Sequence, residues 1–105
     1  MTNNFRTLDL AIKYYKECEK LKLPTHLNNQ LLRCSSSIAL NLSEGRGRET
    51  KKDQKRFFII AMASLRESQT ILIIAGKEKS KLHQLSDSLG AHIYKLIKYY
   101  NETPI

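Results

Sequence analysis

Arg46, Arg48, Lys51, Lys52, Lys55 and Arg56 crowd into eleven consecutive positions, and six of the chain's eighteen basic residues therefore share one short stretch. Gly45 and Gly47 flank the first arginine, and the aromatic pair Phe57-Phe58 follows the last. Guanidinium forks match the geometry of phosphate oxygens, and a helix opening just after them adds an anion-attracting N-terminus. Three carboxylates, Glu44, Glu49 and Asp53, lie in the same stretch. Glu49 is spaced to pair with Lys52 and Asp53 with Arg56, which leaves a local excess of about three positive charges. Polyanion capture is the chemistry this suggests. A polar helix connection with turn glycines and a charged first turn would read the same way, and both readings stay open.

Catalytic groups are sparse. His26, His83 and His92 are scattered, with His83 and Asp87 spaced as an ordinary i,i+4 surface pair. No Glu-x-x-His occurs, as a carboxylate-bridged metal pair in a helical bundle would need. Cys18 and Cys34 lack zinc-site spacing, and Gly45-Arg-Gly47-Arg lacks the Gly-Lys-Ser/Thr ending of a phosphate loop. A nuclease centre built on Asn41, Glu44 and Arg48 is the best enzymatic alternative, and it is disfavoured. No enzyme activity, cofactor or metal is expected.

The chain's 105 residues suit a single domain, residues 1–105. Its net charge of +8 favours polyanionic partners, nucleic acid before a membrane surface. No basic start is followed by an apolar stretch and a small-residue cleavage site, and the longest apolar run, Phe57–Ala63, is too short to span a bilayer. A cytoplasmic protein without a membrane partner is expected. Its two cysteines read as reduced core thiols: a hairpin around Pro24 sets them at heights differing by roughly 9 Å at about 1.5 Å per residue, too far for a disulfide.

Apolar spacing organises four helices. Helix 1, about 6–22, carries Leu8, Ile12, Tyr15, Cys18 and Leu21, and Leu23-Pro24 stops it. Helix 2, about 25–45, carries Leu27, Leu31, Cys34, Ile38 and Leu42, with Gly45 suited to a left-handed close. Its Ser35-Ser36-Ser37 triplet either bonds back to carbonyls one turn earlier or is mostly solvated. Helix 3, about 50–76, opens on Thr50 as N-cap with Asp53 in the first turn; its stripe is Phe57, Ala61, Ser64, Leu65, Ser68, Leu72 and Ala75. Helix 4, about 80–101, shows Leu82, Leu85, Leu89, Ile93, Leu96 and Tyr100. Short connections between successive helices predict an all-α, up-down-up-down antiparallel four-helix bundle. Helix 3 is apolar on more sides than one core needs, so Phe58, Ile59, Met62 and Ile73 are expected to meet another subunit.

The segment Ser37–Glu67, SIALNLSEGRGRETKKDQKRFFIIAMASLRE, resembles the signature of the bacterial 23S rRNA intervening-sequence proteins. Ser37, Ile38, Asn41, Glu44, Gly45, Gly47, Arg48, Arg56, Phe57, Ile60, Ala61, Ser64, Leu65 and Glu67 match its pattern; Ala63 departs from it, standing where the family usually has glycine, and the family's common N-terminal tryptophan is missing. The resemblance implies a homopentameric, ring-like bundle with a charged surface, and no established catalysis. A weaker, fold-level similarity links the family to the accessory variability proteins of diversity-generating retroelements, which bind a reverse transcriptase and nucleic acid. The expectation is a non-enzymatic, homo-oligomeric RNA- or DNA-binding bundle using Arg46 to Arg56; the alternative is an adaptor to a reverse transcriptase. Of the signature's polar residues, Asn41 is expected to face inward, and Glu44, at the negative end of helix 2, to need a cation such as Arg48, Arg56 or Arg66. Asn41, Glu44, Arg66 and Glu67 are read as a structural network around the 2–3 connection.

Overall fold

Four helices make up the computed structural model, which describes residues 5–102: α1 (Arg6–Lys20), α2 (Thr25–Arg46), α3 (Lys51–Ile74) and α4 (Lys81–Glu102). No strand occurs among the described residues. α1 stops two residues before the expected Lys22, because Leu21 is already extended (φ −80°, ψ 138°). The chain thus has three residues, 21–23, in which to reverse before Pro24 opens α2 with φ −51°. Thr50 caps α3 as its sequence suggests, its side-chain oxygen accepting from the Asp53 N–H at 3.1 Å. Ser80 does the same for α4 through the His83 N–H at 3.1 Å.

Gly45 does not close α2. It is helical and buried, and the helix runs on to Arg46. The left-handed glycine is Gly76 (φ +76°), in the break after α3. There the Gly76 N–H donates to Ile73 O at 2.9 Å and the Lys77 N–H to Leu72 O at 2.7 Å, the double bond that ends a helix at such a glycine. Gly45 has a different reason to be glycine. A Cβ on it would lie 2.9 Å from both Phe57 Cβ and Phe58 Cε1, and 3.1 Å from the backbone oxygen of Gln54. The start of α3 is simply too close for any side chain.

Each helix packs on two others, α1 on α2, α2 on α3, α3 on α4 and α4 back on α1, with α2 and α3 sharing the most extensive contact. Side-chain bonds tie neighbouring helices: Ser37 of α2 bonds Ser64 of α3, and Gln69 and Gln54 of α3 bond Ser86 and Tyr100 of α4. Across the middle, the Tyr14 hydroxyl of α1 reaches Ser68 of α3 at 2.9 Å, while Ser68 donates to Leu65 O at 2.7 Å. The core around this pair includes Leu31, Ile38, Leu42, Leu65, Leu72, Leu89 and Ile93, all fully buried.

Two stripes are rotated from expectation. On α1 the buried residues are Thr7, Ala11, Tyr14 and Cys18, whereas Ile12 is exposed; small Thr7 and Ala11 admit the helix closely and aim Tyr14 at its partner. On α3 Phe58 takes the core place expected for Phe57. Phe58 is only 3% exposed and packs on the rings of Phe5 and Tyr100, with centroids 6.3 and 5.7 Å away. That corrects its assignment to a subunit interface, since it has no surface left to offer. The serine triplet bonds as the first reading held: Ser35 and Ser36 donate to Leu32 O and Arg33 O one turn earlier, and Ser37 crosses to Ser64 at 2.9 Å.

Cys18 and Cys34 are free and buried. Burial pushes the Cys18 thiol up to about 12 and the Cys34 thiol up to about 11, far from the thiolate range of reactive cysteines. By length and composition alone α3 could cross a membrane. In the bundle one side of it is core, and Arg66, Glu67 and Gln69 stand in its middle.

The Gly45 approach sets a paired test. Gly45→Ala should lower the urea midpoint, because overpacking costs about 1–3 kcal/mol against a helix-propensity gain of at most about 1 kcal/mol. Gly47→Ala should be neutral or stabilising, since its Cβ would meet Glu44 O and Ser43 O only at ordinary distances of 3.7 and 3.8 Å.

Candidate nucleic-acid interface

The connection between α2 and α3 is held from both sides. The Gly47 N–H donates to Ser43 O and Glu44 O (3.3 and 3.1 Å), and the Arg48 N–H to Gly45 O (3.2 Å). From α3, Gln54 Nε2 donates to Arg48 O at 3.1 Å; from α4, the Tyr100 hydroxyl donates to Gln54 Oε1 at 2.7 Å. This fixes where the arginines emerge.

Their charges alternate with carboxylates. Arg48 Nη1 meets Glu44 Oε2 at 3.0 Å, Arg48 Nε faces Asp53 Oδ2 at 3.7 Å, and Arg56 Nε faces Asp53 Oδ1 at 3.5 Å. Glu44 thus finds its cation in Arg48, whose pairing offsets the unfavourable position beside the C-terminal end of α2. Asp53 pairs with Arg56 at the expected spacing; Glu49 does not pair with Lys52. The neighbouring grease has a use as well. The Phe57 ring lies between two guanidiniums, with Arg56 at 4.5 Å and Arg48 at 5.0 Å from its centroid. Arg46 sits 4.9 Å over Phe5 and Lys51 5.9 Å over Tyr99. Such contacts contribute on the order of 0.5–1 kcal/mol each at exposed sites and hold the cations at the surface.

The six basic candidates therefore differ. Arg48 and Arg56 are shared with carboxylates, Arg46 and Lys51 lie over rings, and Lys52 and Lys55 have no carboxylate partner among the described residues. A polar depression of about 390 Å³ lies beside Gly47, Arg48, Glu49, Thr50 and Asp53. Its two carboxylates repel an anion and leave the positive field to the lysine side of the corner.

The four signature polar residues do not form one network. Asn41 Nδ2 donates to Ser37 O and Ser37 Oγ at 2.8 and 3.0 Å, tying into the Ser37–Ser64 crossing. Glu44 joins the Arg48 chain. Arg66 Nη1 donates to Gln69 Oε1 at 2.9 Å, and Gln69 Nε2 donates to Ser86 Oγ and Asp87 Oδ1 at 3.0 and 2.9 Å. Glu67 is exposed and joins neither group. The length of α3 separates what proximity in the signature suggested: it carries Arg66 to the α4 side, about three turns of helix beyond Arg56. Gln69 and Gln54 are polar residues that sequence reasoning missed, while Tyr100, expected in the apolar stripe of helix 4, also bonds Gln54. Gln69 alone left a signal, a polar residue on the arc between Leu65 and Leu72.

Of the expected greasy face, Ile59 (47%) and Ile73 (52%) are exposed, joined by Ile60 and Ile74, while Met62 is half-buried against the core. The histidines do not converge: His83 Nδ1 faces Asp87 at 3.7 Å and His92 Nδ1 contacts Ser88 O. No group of three or more metal-ligating side chains occurs among the described residues.

Exposed pairs of this kind contribute at most about 1 kcal/mol. Arg48→Gln, which removes the pairs with Glu44 and Asp53 and the contact with the Phe57 ring, should lower the unfolding free energy by about 1–2 kcal/mol; urea unfolding checks it.

No curated protein and no solved structure matches the chain. The family model of the 23S rRNA-intervening sequence protein does match it, over residues 5–102. That match takes in all four helices, the arginine-glycine corner and the Gly45 crossing, and with nearly its whole length so covered the chain belongs to the 23S rRNA-intervening sequence protein family.

Proposed function

We propose that the protein is a non-enzymatic, homo-oligomeric bundle that binds RNA or DNA through the corner between α2 and α3. The observation that carries this is the set of cations held outward there: Lys52 and Lys55 without carboxylate partners, beside Arg46 and Lys51 propped on aromatic rings. The excess over Glu44, Glu49 and Asp53 is about three charges per subunit. That is modest alone, but copies joined in a ring repeat it, and linked sites gain in avidity without any new contact.

Association is supported by Ile59, Ile60, Ile73 and Ile74, which keep substantial apolar area in water on one face of α3. A homopentamer is the state the family resemblance favours. We read the helix order as up-down-up-down and antiparallel; what supports it is the opposed numbering of the bonded pairs. The start of α1 (Phe5), the end of α2 (Arg46), the start of α3 (Phe58) and the end of α4 (Tyr100) also gather at one end. Lys77, Lys79 and Lys81 then belong to the opposite end and to a separate contact. The second reading, an adaptor to a reverse transcriptase, would use Ile59 and Met62 on the same α3 face.

Binding to duplex DNA should weaken steeply with salt. About five phosphate contacts give a log–log slope near −4.5 in a mobility-shift titration. Changing Arg46, Arg48, Lys51 and Lys55 to Gln should flatten it with helicity intact; an unchanged slope would favour the adaptor. Sedimentation at micromolar concentration should show a mass several times the 12.1 kDa of one chain. The Ile59→Glu, Ile73→Glu double variant should reduce it to that of a single subunit.

A further inference from the structure

A second cationic surface lies on the seam between α3 and α4, away from the corner. It is a groove of about 450 Å³ whose lining includes Arg66, Gly90, Ala91, Tyr94, Lys95 and Lys98, within the size range of ligand sites. Three features set it apart from a chance cluster of surface charge. First, its floor is deliberately bare: Gly90 sits in the middle of α4, where glycine disfavours helix, and a Cβ there would come 3.2 Å from Leu65 Cδ2 and 3.6 Å from Arg66 Nη1. The tight neighbour is Leu65, and the Arg66 guanidinium passes the same spot at ordinary contact distance. Second, Arg66 is braced. Nη1 is held by Gln69 Oε1, and the Gln69 amide, mostly buried, is anchored on Ser86 and Asp87. The other guanidinium donors belong to a side chain that lines the groove. Third, Tyr94, one turn beyond Gly90, is 59% exposed, so most of its ring is open to a partner in the groove. The lining holds three cations, Arg66, Lys95 and Lys98, and one carboxylate, Asp87.

A flat aromatic among cations, over a shallow bare floor, is the arrangement that holds unpaired bases by stacking while cations track the phosphates. A duplex offers no base face to such a ring. We propose that the α3/α4 groove seats single-stranded nucleic acid, with Tyr94 as the stacking platform and Arg66, Lys95 and Lys98 on the backbone phosphates. This rests on the reading of the chain as a nucleic-acid binder and assigns to it a site distinct from the corner.

The experiment is fluorescence anisotropy with a labelled oligo(dT) and a labelled duplex of equal length, at one salt concentration. Tyr94→Ala should weaken oligo(dT) binding about tenfold, the scale of one lost stacking contact, and leave duplex binding unchanged. Tyr94→Phe, which keeps the ring, should stay within about twofold of the unmodified protein on both. Undiminished oligo(dT) binding by Tyr94→Ala, or an equal loss on duplex, overturns the groove. A change in its sedimentation coefficient also overturns it, because the ring would then be covered by a second copy of the chain. If the four-glutamine corner variant loses both ligands while Tyr94→Ala loses neither, the groove falls and the nucleic-acid reading stands. If the unmodified protein binds neither oligonucleotide, both fall together.

Discussion

The crossing of α2 and α3 at Gly45 is the constraint on which the rest of the structure depends. With Phe57 Cβ and Phe58 Cε1 already at 2.9 Å from where a side chain would begin, the two backbones approach as closely as they can. That closeness brings Ser37 within reach of Ser64 further along the pair and sends the Phe58 ring inward to meet Phe5 and Tyr100. It also turns the preceding residue outward: once Phe58 is committed to the core, Phe57 lies at the rim, where it receives Arg48 and Arg56 on its ring. The basic corner is thus a by-product of how two helices meet. Its geometry is set by packing at positions that carry no charge at all.

The chemistry of that corner is more balanced than its lysine and arginine content suggests. Glu44 and Asp53 divide Arg48 and Arg56 between them, so the field is carried mostly by the lysines of the first turns of α3 and by cations resting on rings. Exposed ion pairs contribute little to stability, but they order long side chains that would otherwise lose entropy on meeting a partner. A corner arranged this way gives up some net charge and gains fixed direction.

Much of this was legible in the sequence because it depends on local rules. Four helices, the Thr50 cap with Asp53, the stop before Pro24 and the i,i+3 pairing of Asp53 with Arg56 follow from spacing and capping alone. What could not be read depended on the third dimension. Gly45 looks like a helix closer until the Phe57 and Phe58 side chains and the Gln54 carbonyl are placed against it, and the left-handed turn falls instead at Gly76. Phe57 and Phe58 are adjacent and identical in type, so periodicity cannot choose which one faces the core. Arg66 and Glu67 stand in the same signature as Asn41 and Glu44, yet the length of α3 carries them to different company.

The hydroxyl pair of Tyr14 and Ser68 has a consequence for how the helices mesh. α1 and α3 lie across the bundle from one another, and this bond of 2.9 Å spans the gap. Rolling α1 by a single residue would turn Ile12 and Tyr15 inward, an arrangement no less greasy, but it would give up the Tyr14–Ser68 bond, a loss of about 0.5–1.5 kcal/mol, while Ser68 kept only its bond to Leu65 O. The protein thus distinguishes two equally oily azimuths of its first helix by one shared proton. Tyr14 acts as a key cut for a single lock, and the α1 face that a purely hydrophobic count would favour is the one left outside.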